Sequence, residues 1–326
     1  MSEPGVDIYL RFFLSIGLIL ASGAAGYLAR HRGWVGEAAA RPIMTVVTVG
    51  GYPLVGFLAI WGAPLQWSDA WLPLLGALQA TLLALIALTA GRRVFPDHAE
   101  RGVVGISSGI GNHGVTMAGF AVYLLFGADG LGISTVYCIY TFFALVLLSY
   151  TIAQRFSPDP SHGSLLRLMT GNLMHWRAAG LYTCTAAIVL TALRVPPPAG
   201  IRAWHALDAG IYAVIALAYF GVGLRIRLAH VWRYKRAILY VLGIRHGAGL
   251  AVGFALAGIT WLTPWPLRDL SLKVVLLQAS VPVGVMGVAV ANMFHIKPHE
   301  ASAIFVVSSL AYLLLGLPLL LWIFGG

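Results

Sequence analysis

Long apolar stretches alternate with short polar connections along almost the whole chain. Each stretch is close to the roughly 20 residues that an α-helix needs to cross about 30 Å of hydrocarbon. A helix satisfies its own backbone hydrogen bonds within lipid, so every stretch is predicted to be helical. The ten predicted spans cover residues 8–29, 42–62, 69–90, 102–126, 131–153, 178–194, 206–224, 237–260, 271–294 and 301–324. The predicted fold class is an all-α membrane protein.

Composition supports this class and argues against nucleic acid as a partner. The chain is 59% hydrophobic and 10% charged, whereas a soluble domain is about 45–50% apolar. The formal net charge is +10, but the cations lie between apolar stretches rather than along one face. We therefore expect the chain to be surrounded by membrane lipid. The first stretch lacks a basic leader and a small-residue cleavage site, so it is predicted to be a retained helix.

The connections predict the orientation. Cations concentrate on one side of the ten-span plan, at Arg30, Arg32, Arg41, Arg92, Arg93, Arg101, Arg155, Arg167, Arg177, Arg225, Arg227, Arg233, Lys235, Arg236 and Lys297. The opposite connections contain only Arg194, Arg202 and Arg268. Because basic loops stay in the cytoplasm, both termini are predicted to be periplasmic, in a bacterial inner membrane.

Five spans in each half predict two halves of opposite orientation. The first five-helix repeat would cover 1–153, a cytoplasmic connector 154–177 and the inverted second repeat 178–326. Placing Asn112 on Ser280 aligns span four with span nine. The identities are then Val115/Val283, Gly119/Gly287, Ala121/Ala289, Val122/Val290, Phe126/Phe294 and Ser134/Ser302.

The same two spans contain helix-breaking residues at mid-depth. Span four contains a polar, glycine-rich patch, and Pro282 in span nine removes a backbone donor. Matching interruptions in two repeats point to a substrate site, although close helix packing and a simple kink are the alternative. The candidate binding residues are Gly111, Asn112, His113, Gly114, Gln278, Ser280, Val281 and Pro282, with Arg245 and Gln79.

The chemistry of such a break favours an anion. The N-terminus of a half-helix carries about half a positive charge and unpaired amides. Arg245 lies within span eight, where it binds backbone carbonyls, extends toward the interface, or provides a cation for substrate; the sequence leaves these alternatives open. His113 either titrates or forms a neutral hydrogen bond, and Gln79 either lines the site or bonds a neighbouring helix.

The rival functions differ in what they require. No clustered carboxylates, metal-binding helix or phosphate loop is present, so no enzyme, cofactor or metal site is predicted. No Asp or Glu falls at mid-span, which gives no support to carboxylate-based coupling. Coupling to sodium or protons stays open, because Ser107, Ser108 and Ser280 are oxygen ligands that could hold sodium. The alternatives to a carrier are a sodium-coupled symporter and an anion channel.

Several segments resemble the auxin efflux carrier family. These are Gly111-Asn112-His113-Gly114, Leu124-Leu125-Phe126-Gly127, 134–140, Pro53, 279–291 with Pro282, Ala301-Ser302, Ser308-Ser309 and Leu317-Pro318-Leu319. The resemblance implies the bile/arsenite/riboflavin-type transporter superfamily, which includes the bile acid:sodium symporters. The resemblance in the arrangement of predicted spans covers the whole chain, but the sequence motifs occupy only spans two, four, five, nine and ten.

This resemblance implies a function and a mechanism. Spans 1, 2, 6 and 7 would form a scaffold, and spans 3, 4, 5, 8, 9 and 10 a transport domain that moves like an elevator. Helices 4 and 9 would be broken and would cross, with Asn112, Gly114 and Pro282 at the crossover. The implied substrate is a small mono- or dicarboxylate, and the implied assembly is a homodimer.

The chain also departs from the family. Span four has no proline, Gln79 stands where plant auxin carriers have an acidic group, and the central connector is short. Auxin itself is therefore not the expected substrate.

Overall fold

The structure is a computed structural model that describes residues 4–158, 164–174, 178–198, 205–225 and 228–324. Its named elements are all helical. They are α1 (Pro4–His31), α2 (Glu37–Ile60), α3 (Trp67–Val94), α4 (His98–Gly109), α5 (Ala118–Phe156), α6 (Leu165–Leu173), α7 (Ala179–Ala192), α8 (Ala206–Gly223), α9 (Val231–Leu262), α10 (Asp269–Ala279), α11 (Val285–Met293) and α12 (Pro298–Phe324). Arg177, Arg202, Arg227 and part of the 154–177 connector lie outside the described residues.

Seven helices of the described part are long and apolar enough to cross a membrane. They are α2, α3, α5, α8, α9 and α12, together with Phe12–His31 of α1. Large apolar side chains are exposed on their outer faces, such as Phe13 (67%) and Leu315 (73%). Water would oppose such a surface and lipid would accept it, so the chain is an all-α, multi-pass membrane protein.

The seven long helices are fewer than the ten predicted spans, and helix interruption explains part of the difference. The region of span four is divided between α4 and the start of α5, and the region of span nine between α10 and α11. Each of these pieces is shorter than a membrane crossing requires. The region of span six forms α7, which is apolar but has only 14 residues.

The backbone turns at Gly127 within α5, where φ is 66° and ψ is −158°. This left-handed φ is readily adopted by glycine and costs other residues free energy. The turn divides α5 into a short arm, 118–126, and a long arm, 128–156. The sequence predicted a boundary between two spans at this position.

Two groups of helices pack closely. In the first, α1 lies along α8, and α2 contacts α7 and α8. A Cβ at Gly26 would lie 2.2 Å from the Phe220 carbonyl oxygen, so α1 and α8 approach at glycines. In the second group, α3 packs against α4 and α9, α9 against α10, and α12 against α4 and α11.

Candidate functional site

Both predicted interruptions are present as breaks in helices. The first break runs from Ile110 to Met117, between α4 and α5, and the second from Ser280 to Gly284, between α10 and α11. The first break is complete although it contains no proline. Ile110 is extended, with φ −98° and ψ 107°, as is Gly284, with φ −82° and ψ 143°. Each break therefore exposes backbone groups that a continuous helix would pair.

The two breaks pair with each other. Gly111 and Val283 form an isolated antiparallel bridge. The backbone N–H of Asn112 donates to the Pro282 carbonyl at 2.8 Å, and the backbone N–H of Gly284 donates to the Ile110 carbonyl at 2.8 Å. Pro282 has no N–H and can only accept here. Backbone groups freed by one break are thus satisfied by the other, as an interior without water requires. We call this pair of segments the crossing.

Glycine makes this approach possible. A Cβ at Gly111 would lie 2.3 Å from Arg245 Nη2 and 2.4 Å from His113 Nε2. A Cβ at Gly284 would lie 2.6 Å from the Gly111 carbonyl oxygen. Any larger residue at either position would push the two chain segments apart.

Arg245 of α9 is 1% exposed and holds the crossing through backbone carbonyls. Its Nε and Nη2 donate to the Val281 carbonyl at 3.1 and 2.8 Å, and its Nη1 donates to the Ser108 carbonyl at 3.1 Å. The sequence left three roles open for Arg245. Its contacts are those of the first role, binding to backbone carbonyls. Extension to the interface is wrong, because the side chain is buried. Ser108 belongs to the C-terminal turn of α4, where the helix dipole favours a cation.

The positive charge of Arg245 has no carboxylate partner within 4 Å among the described residues. Its bonds to carbonyl dipoles stabilise the guanidinium without neutralising it. The interior of the crossing is therefore electropositive, a condition that favours an anion nearby.

His113 belongs to a buried hydrogen-bond chain. Its side chain is 3% exposed, and its Nδ1 lies 2.7 Å from Gln278 Oε1. Gln278 Nε2 donates to Ser134 Oγ at 2.7 Å, so Oε1 is the accepting atom and His113 Nδ1 donates the proton. The ring packs against Tyr137, with the ring centroids 5.5 Å apart. His113 therefore links the first break to α10 and the long arm of α5.

Gln79 makes a second bridge behind the crossing. Its Nε2 donates to the carbonyls of Gly249 at 3.2 Å and Ala279 at 3.3 Å, and its Oε1 accepts from the Tyr137 hydroxyl at 2.7 Å. These bonds connect α3 to α9, α10 and α5. The contacts are those of a residue that bonds neighbouring helices, one of the two alternatives in the sequence.

Ser280 and His246 complete this interior. The Ser280 hydroxyl donates to the Leu277 carbonyl at 2.8 Å, and His246 Nδ1 donates to the Ser280 carbonyl at 2.9 Å. All ten candidate residues therefore lie at or directly behind one crossing, as far as their contacts show.

One face of the crossing contains residues that the sequence did not single out. The Tyr52 hydroxyl lies 3.1 Å from Thr116 Oγ1, and the Tyr219 hydroxyl donates to the Thr116 carbonyl at 2.9 Å. Thr116 Oγ1 in turn donates to Asn112 Oδ1 at 3.3 Å. The sequence signal for this face was a tyrosine within a predicted apolar span. Tyrosine is also common where helices simply pack together, so the signal is not specific for a site.

This face is the accessible side of the site. Asn112, Gly114 and Tyr52 are half-buried, whereas Thr116, His113, Gln278 and Arg245 are buried. Asn112 accepts a bond through its Oδ1, which leaves the Nδ2 donors for another group. We call this surface, formed by Tyr52, Asn112, Gly114 and Thr116, the Asn112 face.

Comparison with known protein families and with curated proteins finds no match to this chain. The chemistry of the site is therefore argued from its geometry. Within the described residues, no three His, Cys, Asp or Glu side chains are placed to hold a metal ion. The groups at the Asn112 face are hydroxyls, an amide and backbone N–H groups, which bind by hydrogen bonding.

Proposed function

We propose that this chain is a membrane carrier for a small organic anion, which binds at the Asn112 face. The observation that carries the proposal is the pairing of two interrupted helices around the buried Arg245, whose charge has no carboxylate partner among the described residues. A small carboxylate would complement that charge. It would also accept hydrogen bonds from the donors of the face.

Helix ends add to this electrostatic preference. Both α5 and α11 begin where a break ends, at Ala118 and Val285. The first amides of a helix have no intrahelical acceptor, and the N-terminus carries about half a positive charge. The dipoles at these two helix ends favour an anion over a neutral or cationic substrate, even though the Ala118 and Gly119 amides already donate to the Asn112 and Gly114 carbonyls.

We further propose that the membrane domain has ten crossings in two inverted halves. The seven long helices and α7 would contribute eight crossings. The two interrupted pairs, α4 with the short arm of α5 and α10 with α11, would contribute the other two. The resemblance to the auxin efflux carrier family supports this arrangement, as does the equivalent position of the two breaks in the halves 1–153 and 178–326.

We propose an elevator-like motion of one group of helices against the other. The scaffold would be α1, α2, α7 and α8, and the transport domain would be the helices around the crossing. Tyr52 of α2 and Tyr219 of α8 reach Thr116 from the scaffold side. These hydroxyls would release Thr116 and bind it again as the crossing moves. A homodimer through the scaffold is the assembly that the resemblance implies.

Ligand binding by purified protein tests the proposal, with Asn112→Ala as the decisive variant. We expect mono- and dicarboxylates such as acetate, malonate and malate to raise the melting temperature in a concentration-dependent way. Loss of one hydrogen bond to a charged group costs about 1.5–3 kcal/mol. Asn112→Ala should therefore weaken the apparent affinity by roughly 10- to 100-fold.

Asn292→Ala is the matched control, because Asn292 is exposed on α11 and its side chain donates within that helix, to the Val288 carbonyl. It should bind as the unsubstituted protein does. An unchanged ligand shift in Asn112→Ala would remove Asn112 from the site.

No carboxylate shift together with no carboxylate current in proteoliposomes would overturn the carrier proposal. Currents that require sodium would make it a sodium-coupled symporter, and currents that do not saturate would make it a channel.

A further inference from the structure

The first turns of α4 and α12 lie side by side at one end of the molecule. Asp97 caps α4, because its Oδ1 accepts from the Glu100 amide at 3.0 Å. Its Oδ2 lies 2.6 Å from Nζ of Lys297, the residue before α12. The hydrogen bond from Lys297, followed by that from the Glu100 amide, holds the pKa of Asp97 below its usual range. The Lys297 charge is therefore already paired with a carboxylate.

Glu300 lies next to this ion pair and has a different environment. Its side chain is 2% exposed, and its Oε1 has no hydrogen-bond partner among the described residues. It lines a cavity of about 370 Å³ with Glu100, Arg233, Tyr234, Lys297 and His299. A buried carboxyl oxygen without a hydrogen-bond partner thus shares a cavity with a second carboxyl group.

Burial makes a charged carboxylate costly, and a second carboxyl group in the same cavity adds repulsion. Glu300 is buried and Glu100 is half-buried, so Glu300 is the group for which the neutral form is favoured. The carboxyl groups of Glu100 and Glu300 line the cavity together with Lys297 and Arg233, and Lys297 is already bonded to Asp97.

The other elements packed against α12 do not provide a further cation that is shown to pair with Glu300. The segment 228–234 contributes Arg233 and Tyr234 to the cavity. On the start of α9, Lys235 is exposed, Arg236 lies over the Phe95 ring and the Tyr240 hydroxyl donates to the Ala87 carbonyl. The helix α11 contains no titratable side chain. His299, which lines the cavity, is the remaining titratable neighbour.

We propose that the buried carboxyl group of Glu300 binds a proton at neutral pH, in the cavity that it shares with Glu100. The cavity is lined by the first turn of α12 and the first turn of α4. When the proton leaves, two anions face each other in one cavity, and the two helix starts are pushed apart.

Both helices that begin at this site reach the crossing. The Ser108 carbonyl, in the last turn of α4, accepts from Arg245 at 3.1 Å. Ser308 of α12 accepts from the Val283 amide of the second break at 2.9 Å. A change at the proton site is thus connected through two helices to both breaks. Its effect on transport rests on the proposed function, whereas proton binding itself does not.

Infrared difference spectroscopy of the purified protein tests the site without a transport assay. We expect the C=O band of a protonated carboxyl group at neutral pH, which disappears at alkaline pH. Glu300→Gln keeps the shape of the side chain and should abolish the band. Asp129→Asn, a change at an exposed acid, should leave it unchanged. Absence of the band, or its persistence in Glu300→Gln, would overturn the proposal.

Thermal unfolding gives an independent readout. A proton held by Glu300 in the folded protein would be released by the unfolded chain at neutral pH, so stability should fall as the pH rises through the titration of Glu300. We expect the melting temperature of the unsubstituted protein to fall toward alkaline pH, and that of Glu300→Gln to fall less. Glu100→Gln removes the same repulsion and serves if Glu300→Gln fails to fold. Stabilisation by sodium that is lost in Glu300→Gln, without a carboxyl band, would instead indicate a cation site.

Discussion

At the scale of single residues, Gly111 is the position in the crossing where a small change tests the close packing around Arg245. A methyl group there would lie 2.3 Å from Arg245 Nη2, 2.4 Å from His113 Nε2 and 2.8 Å from Val281 Cγ2. The guanidinium and the imidazole are both bound, so neither can move without losing hydrogen bonds. We expect Gly111→Ala to lower the free energy of unfolding by about 1–3 kcal/mol, as overpacking does elsewhere. Thermal unfolding in detergent measures the effect.

Gly243→Ala is the control for this substitution. Gly243 lies on α9, two residues before Arg245, and no atom outside its own helix lies within 4 Å of the added Cβ. Alanine favours a helix interior over glycine by up to about 1 kcal/mol, so this variant should be as stable as the unsubstituted protein or more stable. Equal stability of the two variants would show that the crossing is looser than the structure has it.

At the scale of elements, the contact between the short arm of α5 and α8 is a testable joint. The Tyr123 hydroxyl donates to Asp208 Oδ1, and His205 Nδ1 lies 3.2 Å from Asp208 Oδ2. A hydrogen bond to a charged acceptor contributes more than a neutral one, although this pair is only part-buried. We expect Tyr123→Phe to lower the free energy of unfolding by about 1 kcal/mol, as measured by thermal unfolding.

Tyr212→Phe is the comparison for this joint. Tyr212 lies on α8 and packs its ring against Phe120, with the centroids 6.4 Å apart. This contact does not depend on the hydroxyl. If Tyr212→Phe destabilises the protein as much as Tyr123→Phe does, the Asp208 contact is not what joins the two helices.

At the scale of the whole molecule, the connections between helices determine orientation. Native Cys138 is half-buried and Cys184 is buried, so background labelling by a membrane-impermeant maleimide should be low. Gly36→Cys lies in an exposed connection on the cation-rich side, and Pro64→Cys lies in an exposed connection on the other. We expect only Pro64→Cys to be labelled in intact cells, because basic loops stay in the cytoplasm.

Permeabilised cells provide the control, since both introduced cysteines should then be labelled. Labelling of Gly36→Cys alone in intact cells would reverse the predicted orientation. The basic connections would then lie outside the cell, contrary to the charge rule.

The sequence by itself determined where the helices lie and where two of them break. Apolar length predicted the helical regions, since a backbone in lipid has few alternatives. Glycine, asparagine and proline predicted breaks around Asn112 in span four and around Pro282 in span nine, because their effect on the backbone is local. The same residues predicted most members of the candidate site.

Only the tertiary structure decided how these parts meet. Arg245 bonds Ser108, 137 positions away in the chain, and His113 bonds Gln278, 165 positions away. Residue type does not predict either partner, because a buried arginine can donate a hydrogen bond to any well-placed carbonyl. The same holds for Glu300, which seemed an ordinary residue at a helix end. Its burial beside Glu100 depends on how α4 and α12 pack, and packing is a property of the assembled helices.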